Sequence, residues 1–162
     1  MFEKFGEMSS AEEINALAEN LFNEGDTESL IAMAKENGLD EEFAQAYMEG
    51  EIPEICDAQS AAAGKLAVEA QDLQLKEIMQ DWMGYIEAQC LEDEEFARAV
   101  RSKEKSLKGC IAAILKWSFA NQIPIGTEII KAAGISAGKV TMGIPGMRQA
   151  RKIIREYYGG AA

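Results

Sequence analysis

Apolar residues recur along the chain at three- and four-residue intervals, and most runs open on a capping residue and close near glycine. This is the signature of amphipathic helices, and it predicts helix almost throughout. Ser10 and Glu13 have the capping-box spacing, in which each side chain satisfies a backbone N–H left free at a helix start. Ile14, Leu17, Ala18 and Leu21 follow in helical phase up to Gly25. Asp26 caps a second short helix carrying Leu30, Ile31 and Ala34, which stops at Gly38. Asp40 caps a third, with Phe43, Ala44, Tyr47 and Met48 on one side, before Gly50. The Gly50–Pro53 stretch breaks the pattern and marks a boundary.

A second helical set begins near Ala58. Gly64 weakens the first of these helices by about 1 kcal/mol relative to alanine. The best-patterned helix places Leu75, Ile78, Met79, Trp82, Ile86 and Cys90 on one stripe. Glu92 to Glu95 sit where the next helix starts, since carboxylates complement the positive end of the helix dipole. Phe96, Ala97 and Val100 give it a buried side. A longer helix is expected from about Glu104 to Ala120, with Leu107, Ile111, Ile114, Leu115 and Ser118 in phase. Thr127 is placed to cap a short helix through about Ala133. Residues 134–146 read as loop, with one short extended piece around Val140. Pro145 then opens a last helix that ends before Gly159. With no sustained alternation and no long-period repeat, the expected fold class is all-α. It comprises a compact acidic N-terminal helical unit over 1–52, a larger helical bundle over 56–158 and a disordered tail over 159–162.

Charge changes this picture. The formal net charge is −12, but residues 1–97 hold 25 acidic and 4 basic side chains whereas residues 98–162 hold 3 acidic and 12 basic. Consecutive stretches of −21 and +9 predict two surfaces with different partners, or one surface folded against the other. A hydrophobic fraction of 48% argues against disorder despite the charge.

The chain has no histidine, which excludes Ser-His and Cys-His dyads, a histidine base and histidine metal ligands. Cys56, Cys90 and Cys110 make no zinc spacing, and an odd count fits a reducing cytosol. The first residues lack the apolar segment of a signal peptide, and no apolar run approaches the roughly 18 residues that span a bilayer. The expectation is a cytoplasmic, non-enzymatic protein with no catalytic residues, no cofactor, no metal and no membrane partner.

Several clusters are candidates for binding. Arg148, Arg151, Lys152 and Arg155 fall on one narrow face of the last helix, opposite Met147, Ala150, Ile153, Ile154 and Tyr157. Such a stripe suits phosphate contacts or an acidic protein surface, and equally a solvated face. Arg98, Arg101, Lys103, Lys105 and Lys108 form a second basic cluster, and the two would make one surface of nine or ten charges if they fold together. Glu41, Glu42, Glu49, Glu51, Glu54 and Asp57 form one acidic strip, and Glu92, Asp93, Glu94 and Glu95 another. Carboxylates on helices can imitate a phosphate backbone and occupy a basic channel, although capping and solubility account for many of them. Gly134, Gly138, Lys139 and Thr141 miss the P-loop spacing and are rejected as a nucleotide site. Trp82, Trp117 and Phe119 read as core.

The segment 78–122, IMQDWMGYIEAQCLEDEEFARAVRSKEKSLKGCIAAILKWSFANQ, resembles the PcfK-like proteins of conjugative plasmids and other mobile elements. The resemblance is carried by a helix containing Tyr85-Ile86, the acidic residues before Phe96-Ala97, and the run Lys105 to Ile111, and it is strongest over residues 78–120. Some PcfK-like proteins are anti-CRISPR inhibitors of type II RNA-guided nucleases. The resemblance therefore implies either such an inhibitor, with a type II CRISPR effector as its protein partner, or a DNA-binding accessory of conjugation. The family offers no catalytic residues to carry over.

Overall fold

The computed structural model describes residues 3–159; residues 160–162, most of the expected tail, lie outside the described residues. Three short helices come first, α1 (Ala11–Asn23), α2 (Thr27–Glu36) and α3 (Glu41–Met48). Each is capped as the sequence demands: Ser10, Asp26 and Asp40 accept from the backbone N–H groups of Glu13, Ser29 and Glu42. The bundle follows, with α4 (Ala58–Leu73), α5 (Ile78–Glu92), α6 (Glu94–Arg101) and α7 (Leu107–Ala120). Strand β1 (Ile123–Pro124), α8 (Thr127–Ala132), strand β2 (Thr141–Met142) and α9 (Met147–Tyr158) complete the chain. The protein is all-α apart from the antiparallel β1–β2 pair, in which Ile123 faces Met142 and Pro124 faces Thr141.

Two cores share α4 as a common wall. Ala58, Ala62 and Leu66 look into the larger core with Trp82, Ile86, Phe96, Val100, Ile114 and Ile154. Ala61 looks the other way, among Ile14, Leu30, Met33 and Ala44. The core of the N-terminal unit also extends past residue 52 to take in Ile55 and Cys56. Asn15 fixes this segment by donating to the Cys56 carbonyl at 2.9 Å and accepting from the N–H groups of Ile55 and Cys56.

Two buried cations tie the units together. Arg101, 1% exposed, donates to the Met8 carbonyl at 2.8 Å, to the Ala61 carbonyl at 3.1 Å and to the Asn37 side-chain oxygen. Lys65, fully buried, donates to the carbonyls of Ser102 at 2.6 Å and Lys105 at 2.7 Å, and pairs with Glu7 at 2.8 Å. Burying a charge is costly unless it is paired and hydrogen-bonded. Here both conditions are met, and by groups from both units.

The same lysine explains why α7 starts at Leu107 and not near Glu104. Residues 102–105 bend so that their carbonyls reach Lys65, and Ser106 then caps α7 through the Gly109 N–H at 3.0 Å. Other boundaries shift as well. Helix α5 starts at Ile78, and Leu75 reaches the core from the preceding turn. Gly126, not Thr127, occupies the N-cap of α8, with no side-chain cap bond. Pro145 is buried one residue ahead of the Gly146 N-cap of α9. On α9 the buried tyrosine is Tyr158; Tyr157 is half-buried and its hydroxyl accepts from the Ser106 N–H at 3.0 Å.

Candidate partner-binding surfaces

Helix α9 packs its Ala150, Ile153, Ile154 and Tyr158 face into the larger core, and this turns its cations outward. Arg148, Arg151, Lys152 and Arg155 line one open cleft of about 1080 Å³, together with Gly146 and Gln149 of α9 and with Tyr85 and Gln89 of α5. The four cations read from the sequence therefore do converge, and the facing wall is neutral.

They are not equivalent. The Arg151 guanidinium lies over the Tyr85 ring, 5.2 Å from its centroid, which orders the side chain without neutralising it. Lys152 reaches Glu156 only at 3.9 Å. Arg155 is used internally: it stacks over Phe96 at 5.2 Å and pairs with Asp93 at 3.3 Å. The cleft is thus strongly positive at its Arg148 end and compensated at its Arg155 end.

The second basic cluster does not join it. Arg101 is buried, so a single surface of nine or ten cations does not form. Arg98 turns toward the acidic half and bridges Glu12 at 2.6 Å and Glu94 at 2.8 Å. Those two carboxylates raise its pKa, and the bond to Arg98 lowers that of Glu12. Lys105 alone reaches α9, lying 5.1 Å from the Tyr157 ring centroid.

The acidic strips also divide. Asp93 caps α6 through the Phe96 N–H at 3.1 Å besides pairing with Arg155, and Glu94 holds Arg98. Glu92 and Glu95 are exposed. In the N-terminal strip Asp57 caps α4 through the Ser60 N–H at 2.7 Å, a bond that lowers its pKa. Glu41 meets Lys35 at 2.8 Å on open surface, and Glu49 accepts from Gln45. Glu42, Glu49, Glu51 and Glu54 all face solvent. Residues 1–57 hold 16 carboxylates and only two lysines, so internal pairing leaves most of this charge uncompensated. A shallow depression of about 370 Å³ between Glu12, Glu19, Tyr47 and Glu54 gives the acidic face some relief.

No family model, no curated protein and no solved structure matches the chain. What it can do is therefore read from the surfaces themselves. Among the described residues no group of three His, Cys, Asp or Glu side chains could hold a metal ion. The described residues also contain no helix long and apolar enough to cross a membrane.

Two aromatic residues depart from expectation. Trp82 is core, but Trp117 is half-buried and Phe119 is 76% exposed, because the last turns of α7 extend beyond the bundle. Leu115, expected on the buried stripe, is 55% exposed for the same reason. The residues that sequence reasoning missed are Lys65, Asn37 and Tyr85. A lysine inside an alanine-rich helix, within a chain otherwise poor in cations up to residue 97, was the available signal for Lys65.

Proposed function

We propose that this chain is a non-enzymatic, protein-binding inhibitor of an RNA-guided nuclease, acting in the bacterial cytoplasm by presenting its acidic unit to the nuclease's nucleic-acid channel. The observation that carries this reading is the state of the Glu41–Glu54 carboxylates. They stand exposed on a helical frame that is pinned to the rest of the molecule, with too few cations nearby to neutralise them. A fixed array of negative charge suits a channel built to hold a heteroduplex by its backbone. The resemblance of residues 78–120 to PcfK-like proteins names the partner class, a type II CRISPR effector.

The test is cleavage of a matched DNA by guide-loaded type II effectors. Inhibition near one-to-one stoichiometry is expected, and it should be lost when Glu41, Glu42, Glu49 and Glu51 are all changed to lysine. Full cleavage by several orthologous effectors at about tenfold molar excess, where mass action saturates any useful site, rejects the reading.

A second reading, a DNA-binding accessory of plasmid conjugation, is favoured by the α9 cleft. Arg148, Arg151 and Lys152 can each release counterions from a phosphate backbone. Binding to single- or double-stranded DNA at about 50 mM salt, where phosphate contacts are strong, supports it, and no binding there removes it.

A further inference from the structure

From Leu115 to Ile144 no residue of the chain is buried, although the stretch is ordered into the end of α7, β1, α8 and β2. This arm has regular structure but no core of its own. Eight of the eleven exposed large hydrophobic residues fall between Leu115 and Met147, among them Phe119, Ile123, Ile129, Met142 and Ile144 at 56–76% exposure. The arm is nonetheless anchored. Gln122 donates to the Ser118 carbonyl at 2.8 Å and accepts from the Thr141 hydroxyl at 3.0 Å, and Ile125 donates to the Val140 carbonyl at 2.9 Å. Gly143 fits closely enough that a Cβ would lie 2.5 Å from the Ser118 carbonyl oxygen.

We propose that the 115–147 arm is a self-association surface, packing face to face against the same arm of a second copy in a two-fold dimer. Charge selects the occupant. Lys116, Glu128, Lys131 and Lys139 are the arm's charged residues, Glu128 and Lys131 lie 3.6 Å apart, and the arm sums to only +2. The acidic unit would repel its own copy, and so would the α9 stripe. The arm meets its own copy with little repulsion, and it has too little charge to recognise a phosphate backbone or a basic channel.

Area agrees. Eight side chains each exposing on the order of 100 Å² would offer about 800 Å² per copy, the amount that a standard-size interface buries on each side. A self-complementary patch closes as a two-fold pair and does not propagate.

Sedimentation of the full chain between about 1 µM and about 100 µM brackets a micromolar association. The mass should rise from 17.7 kDa toward twice that value. Phe119→Glu and Ile129→Glu should each weaken the dimer at least tenfold while the helical circular dichroism is kept. Leu91→Glu, at an equally exposed leucine of α5 outside the arm, should leave it unchanged. In the wild type, the α8 amides should exchange more slowly at the high concentration. A monomer throughout the range, α8 exchange independent of concentration, or a dimer indifferent to both arm variants would overturn the proposal. So would a dimer dispersed by about 0.5 M salt, which would mark an acid-to-base contact. A monomer that floats with neutral phosphatidylcholine vesicles would give the face to a lipid surface and overturn it equally.

Discussion

Gly38 and Gly64 meet backbone to backbone: a Cβ on Gly38 would lie 2.1 Å from the Gly64 carbonyl oxygen, and one on Gly64 would lie 2.4 Å from the Asn37 carbonyl oxygen. Gly38 also has a positive φ of 74°, which few other residues adopt. This contact sets how closely the loop after α2 approaches α4, and hence where the acidic unit sits. Helix propensity alone makes Gly64→Ala a gain of about 1 kcal/mol. The contact reverses the sign, and a net loss of about 1–3 kcal/mol is expected because rigid backbone must move. Gly84→Ala is the control, since nothing lies within 4 Å of its missing Cβ, and it should gain the propensity term. Urea denaturation of the two variants separates them.

Arg101→Met should be among the most destabilising substitutions in the chain. It leaves the Met8 and Ala61 carbonyls and the Asn37 side-chain oxygen without the donor that now satisfies them. The expected loss is about 3–5 kcal/mol, as for breaking a buried charge network. Chemical denaturation measures it, and a loss under 1 kcal/mol, the scale of an exposed ion pair, would contradict the burial seen here.

The pH dependence has two parts of opposite sign. Hydrogen bonds from Ser29 and Ser60 lower the pKa values of the capping carboxylates Asp26 and Asp57, and the bond from Arg98 lowers that of Glu12. Their stabilisation is complete above the unfolded values near 3.8 and 4.5 and is lost as pH falls through the folded ones. Burial raises the pKa of Glu69, so its contribution is present below 4.5 and is lost as pH rises through the folded value. Asp57→Asn, which keeps a capping side chain without titrating, should flatten the acid limb of a stability–pH curve. Glu69→Gln should flatten the limb just above pH 4.5 and leave the acid limb intact.

The three thiols should be inert in the folded protein. Burial pushes Cys56, Cys90 and Cys110 up to about 12, and the thiolate is the reactive form. Alkylation at pH 8 should therefore wait on unfolding, and its rate should rise with urea. Rapid labelling of native protein would show that one of these sites opens locally.

Within the α9 cleft, Arg148→Glu with Arg151→Glu should abolish anion binding without changing the melting temperature, because both side chains are exposed and neither holds a carboxylate. Arg155→Glu should lower the melting temperature instead, since it sets a carboxylate beside Asp93 and removes the cation over Phe96. Thermal melts and binding isotherms of the two variants distinguish a ligand-facing cation from an internal one.

The helices were legible because their signals are local. Ser10, Asp26, Asp40 and the acidic run at Asp93 announce N-termini within a few residues of the bonds they make. The fate of Arg101 was not legible. As one of five clustered cations it reads as surface, and its burial depends on carbonyls supplied by Met8 and Ala61, 93 and 40 residues away. Phe119 fails in the complementary way. Periodicity assigns it to a helix but does not reveal that α7 outruns the bundle. The α9 stripe was legible as a face, whereas its asymmetry rests on Asp93, a residue whose sequence role was only to start a helix.

Lys65 and Arg101 have one more consequence. Because they fasten the acidic unit to the bundle, the segregation of charge along the chain becomes a permanent electric dipole moment of a rigid body. Such a body feels a torque in the field of a charged partner before it touches it, over a range of about 8 Å at physiological ionic strength. It arrives already turned, so a larger share of its collisions begin in a productive orientation.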